Sequence, residues 1–122
     1  GLSASVSLAK QKAGILTSIV TIMGALDLSN CTSATYSFNV GALKDIEFVE
    51  NTINISLTFA NCSRLTAKSL NSIMLGLSDT VTGQTLTLPK YNTVKATYDA
   101  VYGEGAWDAI VATKSNWTIA YS

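Results

Sequence analysis

Leu57-Thr58-Phe59-Ala60-Asn61-Cys62 reads apolar-x-apolar-x-x-Cys, and Ser63-Arg64-Leu65 and an apolar-periodic run to Leu77 follow it. The same form occurs upstream as Leu26-Asp27-Leu28-Ser29-Asn30-Cys31 and as Ile46-Glu47-Phe48-Val49-Glu50-Asn51. Weaker copies follow as Leu86-Thr87-Leu88-Pro89-Lys90-Tyr91 and Trp117-Thr118-Ile119-Ala120-Tyr121-Ser122. Strict alternation of apolar and polar residues marks a strand with one buried face. Five copies of one short strand in 122 residues point to a stack, with the rest of the chain as connection between its rungs.

Working outward, Ile53 to Phe59 alternates cleanly and reads as the firmest strand, preceded by a strand over Leu43 to Phe48 and a turn at Asn51-Thr52. Thr66 is placed to cap a helix through Leu77, because Leu70, Ile73, Met74 and Leu77 form one apolar stripe with Lys68, Asn71 and Ser72 outside it. Thr85 to Leu88 reads as a strand that Pro89, lacking an N–H, ends or marks as an edge. Asn92 is the expected cap of a second helix with Val94, Tyr98, Val101 and Tyr102 on its inner side, broken by Gly103-Glu104-Gly105. Trp107, Ile110 and Val111 continue as a short helix, and Trp117 to Tyr121 closes the chain as a strand. Upstream, Leu16 to Leu28 reads as extended with a break at Gly24, and Thr32 to Phe38 as a turn or single helical loop. Residues 1–15 form a Ser-rich lead-in, a weak helix or irregular segment, and residues 16–122 form one domain.

The intervals from Leu57 to Leu86 and from Leu86 to Trp117 each hold one strand and one helix, and each is about 30 residues long. Shorter intervals separate Leu26 from Ile46 and Ile46 from Leu57. This is the content of a leucine-rich repeat with compressed early members. The run Asn30-Cys31-Thr32-Ser33 with Phe38 after it, then Leu43-Lys44-Asp45-Ile46, resembles the BspA-like leucine-rich repeats of bacterial surface and prophage-encoded proteins. The segment Ser69 to Leu88 and the closing Asn116-Trp117-Thr118-Ile119 are similar to the C-terminal end of such proteins. The resemblance implies an α/β solenoid: one small sheet of stacked strands, helices on the other side, and a capped C-terminal end over about residues 85–122. It also implies adhesion or protein binding and an extracellular or cell-surface location. It carries no catalytic residue.

Composition narrows the chemistry further. Eight basic and eight acidic residues leave no net charge, and charged residues make up 13% of the chain, half the usual share of about 25%. That balance gives no support for nucleic acid as a partner. The apolar stretch Ile15 to Leu28 is shorter than the roughly 20 residues a spanning helix needs, so no membrane insertion is expected. The chain begins at Gly1 rather than Met and is expected to be processed or a fragment. With no His in the sequence, His-dependent triads and proton shuttles are excluded, and no catalytic, cofactor or metal residues are expected. Cys31 and Cys62 close the same pattern and are expected as buried thiols on equivalent positions, two rungs apart and beyond disulfide reach.

The outward positions of the stacked strands define the expected ligand face. They include Asp27, Asp45, Glu47, Thr58, Thr87 and Thr118, with Asp27 and Glu47 close together. A protein or glycan is the expected partner, held by weak, multivalent contact, because large aromatic and Arg anchors are missing from these positions. Six aromatics follow residue 90 and read as a cap over the last rung, with Tyr91 and Tyr102 the exposed ones. The N-terminal end of the stack lacks a polar cap and is the expected surface for self-association.

Overall fold

The computed structural model describes residues 21–31, 35–38 and 41–122, which hold six strands and three helices. In chain order these are β1 (Thr21–Leu26), β2 (Thr35–Ser37), β3 (Asp45–Phe48), β4 (Ser56–Thr58), α1 (Ala67–Gly76), β5 (Thr85–Leu88), α2 (Tyr91–Tyr102), α3 (Ala106–Ala112) and β6 (Thr118–Tyr121). Among the described residues all strand pairings are parallel, and they form two sheets rather than the single sheet expected. One sheet is β1-β3, and the other runs β2-β4-β5-β6.

The register explains the irregular spacing. Leu26 pairs with Phe48 and Tyr36 with Leu57, so in the first half each sheet is revisited after roughly 20 residues. Leu57 then pairs with Leu86, and Leu86 with Ile119, at the longer interval of about 30 residues. The chain therefore passes alternately through the two sheets in its first half, β1 to β2 to β3 to β4. The short stretch from Ile46 to Leu57 is a crossing from one sheet to the other, not a compressed repeat. In the second half helices stand in the connections, α1 before β5 and α2-α3 before β6.

Several local expectations are corrected. Thr35–Ser37 is a strand, not a turn, because Thr35-Tyr36-Ser37-Phe38 carries the same alternation as Ser56-Leu57-Thr58-Phe59. The run Ile53 to Phe59 is not one continuous strand: Ile53 makes an isolated bridge to Leu77, and the strand proper covers Ser56–Thr58. Strand β1 passes through Gly24, which adopts φ +80°, instead of breaking there. Helix α2 starts at Tyr91, directly after Pro89-Lys90 turns the chain out of β5, so Asn92 lies inside the helix and Lys90 precedes it without a side-chain cap. The readings of the lead-in over residues 1–15, of Leu16 to Ile19 and of Ala34 fall outside the described residues.

One core joins both sheets and the helices. Its centre holds all three phenylalanines of the sequence. Phe38 and Phe59, which follow β2 and β4, stack at 4.7 Å between ring centroids with planes 4° apart. Phe48, at the end of β3, meets both edge-on at 6.5 and 6.4 Å. Such pairs add about 0.5–1.5 kcal/mol each beyond burial, so this triad ties the two sheets together. Helix α1 supplies Leu70, Ile73 and Met74 from one face, as its helical spacing dictates. Its start is fixed by Thr66, whose hydroxyl accepts the Ser69 N–H at 3.2 Å. Gly76, its last residue, lets it pack closely on the core, since a Cβ there would lie 2.9 Å from the Phe48 Cβ and 2.8 Å from Ile53.

Helix α1 also closes the open edge of β3. The Ile46 and Phe48 N–H groups donate to the hydroxyls of Ser69 (3.0 Å) and Ser72 (2.9 Å). Ser69 in turn donates to the Lys44 carbonyl at 2.8 Å. A third strand is thus replaced by two serines one helical turn apart, and the two-stranded sheet stops there.

Side chains complete a third line of contacts where no strands run. Asn54 Nδ2 donates to the Ser29 carbonyl, and the Asp79 N–H donates to Asn51 Oδ1. Asn116 Nδ2 and Trp117 Nε1 both donate to the Ser78 carbonyl, and Lys114 Nζ donates to the Leu77 carbonyl at 2.8 Å. Lys114 is buried but is paired with Asp79 at 3.1 Å, which meets the requirement that a buried ammonium be compensated.

Cys31 and Cys62 are buried thiols and are not joined. They do not occupy equivalent positions: Cys31 follows the stretch after β1, whereas Cys62 follows β4 in the other sheet. Each ends a tight turn, its N–H donating to the carbonyl three positions back, Leu28 and Phe59 respectively. Their shared motif therefore marks a shared turn, one on each sheet.

Candidate functional site

The expected ligand face divides in two. Asp45 and Glu47 lie on β3 in the two-stranded sheet, while Thr58, Thr87 and Thr118 lie on β4, β5 and β6 in the other. Asp27 lies on neither, in the stretch after β1. Its carboxylate accepts the Ser29 N–H at 2.9 Å, and hydrogen bonding to Ser29 holds its pKa below the usual carboxylate range. Ala25, not Asp27, stands opposite Glu47 in the β1-β3 register, so the two acids are not direct cross-strand partners.

Four strands of the larger sheet place hydroxyl residues in two in-register columns. One column is Thr35, Ser56, Thr85 and Thr118, and the other is Ser37, Thr58, Thr87 and Ala120. The residues between them, Leu57, Leu86 and Ile119, turn the other way, and the first two are fully buried. Side-chain alternation with period 2 accounts for this split. Within a column neighbours are about 4.8 Å apart, and along a strand the two columns are about 6.7 Å apart. Seven of the eight positions in these columns are Ser or Thr and none is charged. Ser56 accepts the Thr85 N–H at 3.0 Å and Thr58 accepts the Ala60 N–H at 3.3 Å. The hydroxyls of Thr85, Thr87 and Thr118 make no hydrogen bond to another described residue. Reading Thr32 to Phe38 as a turn misses the rung that Thr35 and Ser37 supply, although the alternation there carries the signal.

The second surface is a shallow open groove of about 140 Å³ between β3 and α1, lined by Thr21, Asp45, Glu47 and Lys68 among others. Asp45 accepts a hydrogen bond from the Thr21 hydroxyl at 2.8 Å, across the β1-β3 pairing. The helical period places Lys68 only on the outer side of α1, and nothing in the sequence sets it beside Glu47.

At the C-terminal end, Trp107 is fully buried and donates from Nε1 to the Tyr121 hydroxyl at 2.9 Å. Tyr98 is buried against it, while Tyr91 and Tyr102 are exposed. The two are held differently: Tyr91 donates to Asp108 at 2.6 Å, and Tyr102 tilts against Tyr98. The Asp108 hydrogen bond raises the Tyr91 pKa, and the same bond lowers that of Asp108. Asp99 joins α2 to α3, accepting Lys95 Nζ at 2.8 Å and the N–H groups of Gly105 and Trp107 at 3.1 and 2.8 Å. The Lys95 bond, then the Trp107 N–H, hold its carboxyl below the usual range. Gly105 sits at φ +81°, a conformation that favours glycine and lets the chain enter α3 abruptly.

Among the described residues no cluster of three or more metal-ligating side chains occurs, and no helix is long and apolar enough to cross a membrane. The N-terminal end of the stack, the expected surface for self-association, belongs with residues 1–20 outside the described part. No protein-family model, curated protein or solved structure matches the chain.

Proposed function

We propose that this chain is a short, irregular leucine-rich-repeat solenoid serving as a non-enzymatic protein-interaction or adhesion module of a bacterial surface protein. Its contact surface is the hydroxyl-lined face of the four-stranded sheet, and its partner is a protein or a glycan. The observation that carries this reading is the pair of in-register hydroxyl columns, with Thr58 against Thr87 and Thr85 against Thr118. The repeat reading rests on the strand-to-strand intervals, about 20 to 30 residues long, each later one enclosing a helix. A flat face without charges or large aromatic anchors gains little from any single contact, so binding accumulates from many copies.

The test is binding of bead-displayed protein to a glycan array and to intact bacterial cells, beside a Thr58→Lys/Thr87→Lys double variant. Loss of binding at unchanged thermal stability is the expected outcome. Binding that survives in this variant but disappears in Asp45→Lys/Glu47→Lys would move the site to the β3 groove.

A second reading, a structural or assembly module of a prophage-type particle, is favoured by one observation at β6. The Thr118 and Ser122 N–H groups donate inward to the Gln84 and Leu88 carbonyls. By the two-residue period, Ile119 and Tyr121 direct their N–H groups away from β5, where no described strand follows. Light scattering across a hundredfold concentration range tests it. A dimer that Ile119→Pro returns to monomer supports assembly through this edge, and a monomer throughout rules it out.

A further inference from the structure

We draw no further inference here: the strongest candidate, the shallow groove between β3 and α1 that Asp45 and Glu47 line beside Lys68, is a group of charged surface residues with nothing in the structure to show what covers it.

Discussion

The two sheets of this molecule solve one problem in different ways. In the four-stranded sheet the strands are joined mainly backbone to backbone, from β2 through β6, with the Ser56 hydroxyl taking up the Thr85 N–H. In the two-stranded sheet the backbone ladder ends after a single pairing, and Ser69 and Ser72 of α1 take up the remaining β3 N–H groups. The same substitution recurs where Asn54, Asn116, Trp117 and Lys114 reach the carbonyls of Ser29, Ser78 and Leu77. The difference has a functional consequence. Where backbone pairs with backbone, outward side chains are released from structural duty, and hydroxyls such as those of Thr87 and Thr118 stay available. Where side chains replace the ladder, they are committed, and changing them costs stability before it changes binding.

The largest expected effect lies in the backbone-paired sheet. Leu86 is fully buried on β5, between β4 and β6. Leu86→Ala should cost about 2–5 kcal/mol, the sum of lost transfer energy and a cavity that neighbouring strands cannot close. Urea unfolding measures it, and a cost under about 1 kcal/mol would mean that this sheet is not the rigid half of the molecule. Ser69→Ala comes next, at about 1–3 kcal/mol, since it strands the buried Ile46 N–H while removing one oxygen. The comparison predicts more than a smaller number. Amide exchange should quicken at Ile46 while Leu86 stays protected, whereas equal loss at both would show that the two halves open as one unit.

Much of this is legible where chemistry is local. The Thr66 cap, the α1 stripe of Leu70, Ile73 and Met74, and the strand stop at Pro89 follow from side-chain hydrogen bonding, helical period and a missing N–H. The division into two sheets is not legible. Period-2 alternation tells which side of a strand is buried but not which strand lies beside it, so Ile46-Glu47-Phe48 and Leu57-Thr58-Phe59 look alike while pairing in different sheets. Trp117 misleads for a similar reason. Its size suggests the first inward residue of the last strand, yet Ile119 is the partner of Leu86, and Trp117 is buried through its indole bond to Ser78. The candidate site inherits both outcomes: the Thr58, Thr87 and Thr118 positions share one sheet, and Asp45 and Glu47 go to the other with β3.

The smallest expected effect separates the two halves by pH. The outward columns of the four-stranded sheet hold no titratable side chain at the register positions, so acid has no direct handle there. The α2-α3 junction is different, because Asp99 must be ionised to accept from Lys95 and from the Gly105 and Trp107 N–H groups together. Its folded pKa lies below the unfolded value, so the native state binds fewer protons at this group than the unfolded chain does. Stability from Asp99 is therefore complete above the unfolded carboxylate pKa and is lost as pH falls through the depressed folded one. Acidification through that window should lower the amide protection factors of Gly105 and Trp107 first, with β5 amides unaffected over the same range. Asp99→Asn should remove that acid dependence and weaken the junction at neutral pH as well, since the amide keeps one acceptor oxygen but loses the charge. If β5 loses protection in step with Trp107, the junction and the sheet are one cooperative unit, and the contrast between backbone-built and side-chain-built halves holds for geometry alone.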